Sequence, residues 1–188
     1  MNFINWDREN LVKIKFRNWV PKHESLPDDI KWHFIGHLQK NKVKYIAPFV
    51  FLIHSVDSIE LIEEINKRAK SNDRVIKFLL EVKIAKEDSK FGLNFNDCEN
   101  IIKEIKKNNY SNVELNGVMG MATYTDNEKQ IEEEFSSLHT FFNKIKEIYF
   151  PETHAFSTIS MGMSGDYKIA LENGATLVRI GSLILGNR

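Results

Sequence analysis

The chain has 188 residues, enough for one domain with its own core, and its 26 Lys and Arg balance its 26 Asp and Glu. Zero formal charge excludes capture of nucleic acid or an anionic membrane by bulk positive charge. Hydrophobic residues make up 42%, which excludes a disordered chain, and no apolar run reaches the ~20 residues of a membrane helix.

Strands and helices alternate along the sequence. Lys31–Leu38 reads as a short strand, and Gln39–Phe49 has helical spacing at Val43, Ile46 and Ala47. Val50–Ser55 is a strand, and Asp57 or Ser58 caps the helix SIELIEEINKRAK. Ile76–Ala85 is a strand rich in large apolar residues, followed by a helix over Asp97–Asn108 with acid early and lysine late. Val113–Ala122 is a strand. Asn127–Tyr149 is a long helix with Ile131, Phe135, Leu138, Phe142 and Ile145 on one stripe. Ala155–Met161 is a strand, Gly165–Asn173 a short helix, and Thr176–Ile180 the last strand.

Six strands separated by helices imply a parallel α/β sheet. A (β/α)8 barrel has eight such units in ~250 residues. The pattern therefore fits either an open doubly wound sheet or an incomplete TIM barrel of about six βα units, with the first two missing or replaced.

The candidate chemistry sits at the end of the chain. Two successive strand ends are polar and glycine-rich: Ser160-Met161-Gly162-Met163-Ser164-Gly165-Asp166, and Arg179-Ile180-Gly181-Ser182. Ligands of α/β folds bind at the carboxyl ends of strands, where loop amides and helix starts hold phosphate oxygens. Ser164 and Ser182 add hydroxyl donors. Either loop alone reads first as plain helix capping with tight turns; the pair at adjacent strand ends favours a phosphate seat. Arg179 lies inside an apolar run, so it is expected to be enclosed, bridging carboxylates or facing a ligand. Beside a ring nitrogen it would keep that nitrogen unprotonated.

The stretch WHFIGHLQKNK raises a metal question, because His33 and His37 are four apart. On a strand that spacing covers ~13 Å, too far for one ion, so no metal site is expected. Gly36 permits close approach of a ligand to the backbone, or a simple turn. Glu81 is a carboxylate in an apolar strand, able to pair with Lys83 or Arg179. Cys98 lies on a helix and is not expected to be a catalytic thiol, and as the single cysteine it has no disulfide partner within the chain.

Five blocks in order, WHFIGHLQKNKVKYI, VKIAKEDSKFGL, GVMGMATY, SMGMSGD and GATLVRIGSLILG, resemble the pyridoxal phosphate homeostasis protein family. Those proteins are single-domain barrels similar to the N-terminal domain of alanine racemase. The resemblance covers roughly Pro21 to Arg188. It implies that Ser160–Ser164 and Arg179–Ser182 cup the phosphate and ring of pyridoxal 5'-phosphate (PLP). The implied cofactor-binding set is Ser160, Met161, Gly162, Met163, Ser164, Arg179, Gly181 and Ser182, with His33 and Gly36 from the first block. Met161 and Met163 would line the ring. The implied role is cofactor homeostasis in the cytoplasm by a monomer, without nucleic-acid or membrane partners and with no settled reaction. A racemase-like enzyme, or a barrel for another phosphorylated small molecule, are the alternatives.

The family's Schiff-base lysine stands in a motif like AVSKTK, and a second strand ends in one like FGEN; neither occurs here. Residues 1–20 do not match the family. Back-translated with chosen codons and read in another frame, Met1–Trp19 yields GQRKFGEN, so this segment is expected to be an out-of-frame translation. No catalytic residue is assigned, cofactor binding is expected to be non-covalent at most, and a barrel lacking two strands is expected to have low stability.

Overall fold

A computed structural model describes residues 23–87, 92–108 and 110–186. The expectation for residues 1–20 lies outside the described residues. Six strands run in chain order: β1 (Trp32–Phe34), β2 (Val50–Val56), β3 (Ile76–Val82), β4 (Val113–Gly120), β5 (Thr158–Met163) and β6 (Leu177–Arg179). All five pairings are parallel, and the order across the sheet is β1-β2-β3-β4-β5-β6.

That order decides between the two architectures. A doubly wound sheet reverses its strand order partway, whereas a barrel wall never does. The sheet also curls. His54 on β2 and Ser160 on β5 meet at 2.9 Å, although two strands separate theirs. In a flat sheet those strands would lie roughly 14 Å apart with parallel side chains. The described residues therefore form a curled, incomplete (β/α)8 wall.

Helices follow the strands, and the longer ones cover the outer face. The helices are α1 (Val43–Ile46), α2 (Ile59–Lys70), α3 (Phe95–Asn108), α4 (Glu128–Tyr149), α5 (Tyr167–Glu172) and α6 (Ser182–Leu185). Amphipathic spacing sends Leu61, Ile62, Ile65 and Ala69 of α2, and Ile131, Phe135, Leu138, Phe142 and Ile145 of α4, into the core. The alternate residues of the strands meet them: Ile76, Phe78, Leu80 and Val82 of β3, for example. Phe156 stacks on Phe142 and Phe150, with ring centroids 4.8 and 4.5 Å apart. The inner face carries a smaller apolar cluster of Leu52, Leu79 and Met119, with Phe51, Met121 and Leu177 against it.

Several elements are shorter than their sequence suggests, for local reasons. β1 stops at Phe34, and Gly36 turns the chain with φ +102°. The expected helix over 39–49 is one 3-10 turn, Lys40–Lys42, followed by the single turn α1; Pro48 bars its continuation. The carbonyls of Ala47 and Val50 accept instead from Arg74 Nη1 and Nη2, at 2.6 and 2.8 Å. β3 ends at Val82 because Leu93 returns beside it: Lys83 N–H donates to Leu93 O and Leu93 N–H to Glu81 O, both at 2.8 Å. Ser58 is the residue preceding α2, but its hydroxyl points to Asp57, so the cap makes no side-chain bond to the helix. Asn127 does cap α4, accepting from Gln130 N–H at 3.3 Å.

Candidate functional site

The two glycine-rich strand ends lie side by side. Met163 of β5 is in register with Arg179 of β6, so the loops that follow leave the sheet together. Gly181 N–H donates to Ser164 Oγ at 3.1 Å, which joins them directly. The first loop is closed by Asp166, whose carboxylate accepts the Met163 N–H at 2.5 Å. The helices after these loops, α5 and α6, have six and four residues. Their dipoles are correspondingly small. The donors this rim offers an anion are therefore chiefly loop amides and hydroxyls, with less from the helix starts than the sequence suggested.

Glycines divide into two groups. In the barrel wall, an added Cβ at Gly162 would lie 2.5 Å from the Ala170 Cβ, and one at Gly120 2.8 Å from the Leu138 side chain. At the rim, a Cβ on Gly36, Gly165 or Gly181 would meet nothing within 4 Å. The wall glycines are needed for packing. The rim glycines leave open space against bare backbone.

Beneath the rim, buried polar side chains cross the inner face in a line. Arg179, 7% exposed, donates from Nη1 to Ser160 Oγ at 2.8 Å and from Nη2 to Gly120 O at 3.1 Å. Ser160 Oγ lies 2.9 Å from His54 Nδ1, and His54 Nε2 lies 3.0 Å from His33 Nδ1. Burial pulls the Arg179 pKa down to about 10, while the carboxylates of Asp166 and Glu81 hold it up; the group stays charged at neutral pH. Burial first, then the electrostatic influence of His33 and the charge of Arg179, hold His54 well below the ordinary histidine range. It is a neutral imidazole. Glu81, also buried, is pushed up to about 7 by desolvation and by Asp57, with Arg179 pulling the other way.

The residues singled out in the sequence are distributed as follows. Ser160 and Arg179 touch each other; Ser164 and Gly181 touch each other; Ser182 opens α6 next to them. Met163 is half-buried at the end of β5. Met161 is fully buried in the core shared with the helices, so its side chain is packed there, and only its backbone is on offer to the rim. His33 belongs to the inner line rather than to a metal pair, and His37 is exposed, 4.0 Å from Asp57. Gly36 turns the chain just after β1, and its carbonyl accepts from the Ser55 hydroxyl.

Sequence reasoning gave no role to His54, Ser55 or Asp166. His54 carried a usable signal: a histidine in VFLIHSV, an otherwise apolar strand, must be hydrogen-bonded if buried. Of the two prospects offered for Glu81, Arg179 is one of its electrostatic neighbours, Lys83 stands beyond the end of β3, and Asp57 was not foreseen.

Comparison with known proteins gives this arrangement a family. Residues 26–188 match the model of the alanine racemase N-terminal domain. A pyridoxal phosphate homeostasis protein of Aquifex aeolicus is 37% identical over 175 residues, covering 93% of this chain and 75% of that one. The human pyridoxal phosphate homeostasis protein is 34% identical over 174 residues, covering 89% and 62%. Among solved structures, PipY of Synechococcus elongatus without PLP superposes with a TM-score of 0.83 at 28% identity, covering 92% of this chain and 79% of that one. PipY with PLP bound gives 0.80 at 27% identity, with the same coverage. An alanine racemase of Clostridium difficile shares the fold at TM-score 0.70 and 15% identity, covering 89% and 42%. With its rim glycines, its sequential parallel strands and these relatives, the chain belongs to the pyridoxal phosphate homeostasis protein family, within the fold of the alanine racemase N-terminal domain.

Proposed function

We propose that this chain holds PLP non-covalently and serves intracellular cofactor homeostasis as a carrier rather than as a catalyst. The observation that carries this is the Gly181 N–H to Ser164 Oγ bond at 3.1 Å, which brings two donor loops together above the buried Arg179. The residues present fit a phosphorylated pyridine. Open space at Gly165 and Gly181 exposes backbone to a ligand, and Ser164 and Ser182 supply hydroxyls for phosphate oxygens. Arg179 supplies a fixed cation for the ring nitrogen.

When bound, PLP supplies an aldehyde and an electron-accepting ring. Arg179 has no proton acceptor and stays charged, so it would keep a neighbouring ring nitrogen unprotonated and weaken the ring as an electron sink. Ser164 would exchange its bond with Gly181 for bonds to phosphate. Met163, at the half-buried end of β5, would flank the ring. His33 and Gly36 would close the opposite side from β1. Holding the cofactor fits this set better than turning it over. A cytoplasmic location and a monomeric state complete the reading; the single cysteine and the neutral net charge support the first.

Equilibrium dialysis tests the proposal. The purified chain is expected to retain PLP and to release it when inorganic phosphate is added in excess. Failure to retain PLP at millimolar concentration would remove the assignment.

A further inference from the structure

The polar line across the inner face has a direction. A guanidinium only donates, so Ser160 Oγ is the acceptor for Arg179 Nη1. The positive charge polarises the Ser160 hydroxyl and makes it a stronger donor to its own neighbour, His54 Nδ1. A neutral imidazole has one accepting and one donating nitrogen. With Nδ1 accepting, His54 carries its proton on Nε2 and donates to His33 Nδ1. All three bonds then point away from the cation, and each strengthens the next. The reverse polarity would make Ser160 accept twice and leave its own proton outside the line.

The line also has a task. Asp166 and Glu81 both attract the Arg179 guanidinium, and a long side chain pulled by two carboxylates has more than one resting place. The bonds to Ser160 Oγ and Gly120 O select one of them. With His54 Nδ1 accepting its hydrogen bond, the Ser160 hydroxyl turns a lone pair to Arg179 Nη1. We propose that His54, backed by His33, is a positioning residue for Arg179: acting through Ser160, it fixes the guanidinium where the cofactor ring meets it. This rests on the PLP reading above, and the test separates the two.

The first measurement uses cofactor-free protein and nitrogen NMR of the imidazole rings. His54 is expected to be protonated at Nε2 and bare at Nδ1, and Arg179→Lys is expected to shift its Nδ1 resonance. A proton on Nδ1, or a His54 spectrum indifferent to Arg179→Lys, overturns the proposal. The second measurement compares binding of PLP with binding of inorganic phosphate. His54→Leu keeps the bulk without the acceptor; His54→Asn places an oxygen where Nδ1 stood. His54→Leu is expected to weaken PLP binding about tenfold with phosphate binding unchanged, and His54→Asn to recover most of the loss. No loss, or equal loss for both ligands, overturns the proposal. Should His54→Leu fail to fold, the spectra of wild type and Arg179→Lys decide. If the wild-type chain binds neither ligand, the PLP reading falls and the spectra alone judge the relay.

Discussion

Ser164 Oγ accepts the backbone N–H of Gly181 at 3.1 Å, across the gap between the loops that follow β5 and β6. The bond spans 17 positions of sequence and does two jobs. It holds the loops together, and it keeps one donor of the proposed phosphate seat, the Gly181 amide, occupied until a better acceptor arrives. A phosphate dianion is such an acceptor, because charge-assisted bonds are about twice as strong as neutral ones.

Ser164→Ala removes one donor to the ligand and frees the Gly181 amide. PLP and inorganic phosphate are both expected to bind about tenfold more weakly. Stability should change little, since the lost bond is half-buried and near water. Fluorescence titration with each ligand, alongside a urea melt, checks this. Unchanged affinity for both ligands would place the phosphate elsewhere.

Two glycines should answer oppositely to the same substitution. At Gly117 an added Cβ would stand 1.8 Å from Thr158 O, and φ is +151°. The backbones of β4 and β5 cannot separate there without losing their pairing, which joins Gly117 to Thr158. Gly117→Ala is expected to cost about 3 kcal/mol or more. At Gly181 the backbone has φ −123° and nothing lies within 4 Å of the new atom. Gly181→Ala should leave stability within about 0.5 kcal/mol of wild type, while the methyl fills the seat and weakens PLP binding. Thermal melts and dialysis of the two variants separate the wall role from the rim role.

Glu134 predicts a structural loss. It lies on α4 but is buried, and its carboxylate accepts from Thr123 N–H and Thr123 Oγ1, both at 2.7 Å, and from Gln130 Nε2 at 3.0 Å. These bonds tie the loop after β4 to the helix that covers it. Burial alone would raise its pKa; the bonds from Gln130 and Thr123 outweigh burial and lower it. Glu134→Gln turns an amide N–H toward another N–H donor. It is expected to cost about 2 kcal/mol in a urea melt. An unaltered midpoint would mean that the loop is held by other means.

How much of this was legible before the structure depends on the range of the interactions. The alternation of strands and helices follows from local apolar spacing, and it named all six strands. The choice between open sheet and barrel did not, because it turns on strand order, and strand order is a long-range property. The rim loops were legible because two glycine- and serine-rich strand ends follow one another in the chain, whereas either alone would read as a cap or turn. The inner line was not, since His33, His54, Ser160 and Arg179 come from four strands and meet only when the sheet curls. Met161 and Ser160 look alike in SMGMSGD, yet they fall on opposite faces; the period-2 alternation of a strand separates them. Glu134 was the avoidable omission. It sits three residues after Ile131 and four before Leu138, on the stripe already identified as buried, where a carboxylate must be hydrogen-bonded.

The last prediction concerns pH and rests on Glu81. Its pKa is about 7 in the folded protein, against 4.5 for an ordinary glutamate, because burial and then Asp57 disfavour its charge more than Arg179 favours it. Between those two values the folded state binds more protons than the unfolded state. Stability therefore falls as pH rises from about 4.5 to about 7, and this contribution is flat outside that window. A shift of this size corresponds to roughly 3 kcal/mol at most. His54 acts in the opposite sense: its pKa is depressed, so its contribution is lost as pH falls below 6.5. The two oppose each other below 6.5, and only their separation is informative. Glu81→Gln removes the first without touching the second. Its stability should be nearly level between pH 6.5 and 7.5 and fall in acid, while wild type should lose stability between pH 6.5 and 7. Asp57→Asn should move the wild-type midpoint to lower pH, because it removes the negative neighbour that holds the Glu81 proton in place. Urea melts across pH 5 to 8 read all three proteins. Parallel curves for wild type and Glu81→Gln would mean that Glu81 is ionised throughout, paired with Arg179 more tightly than its burial allows.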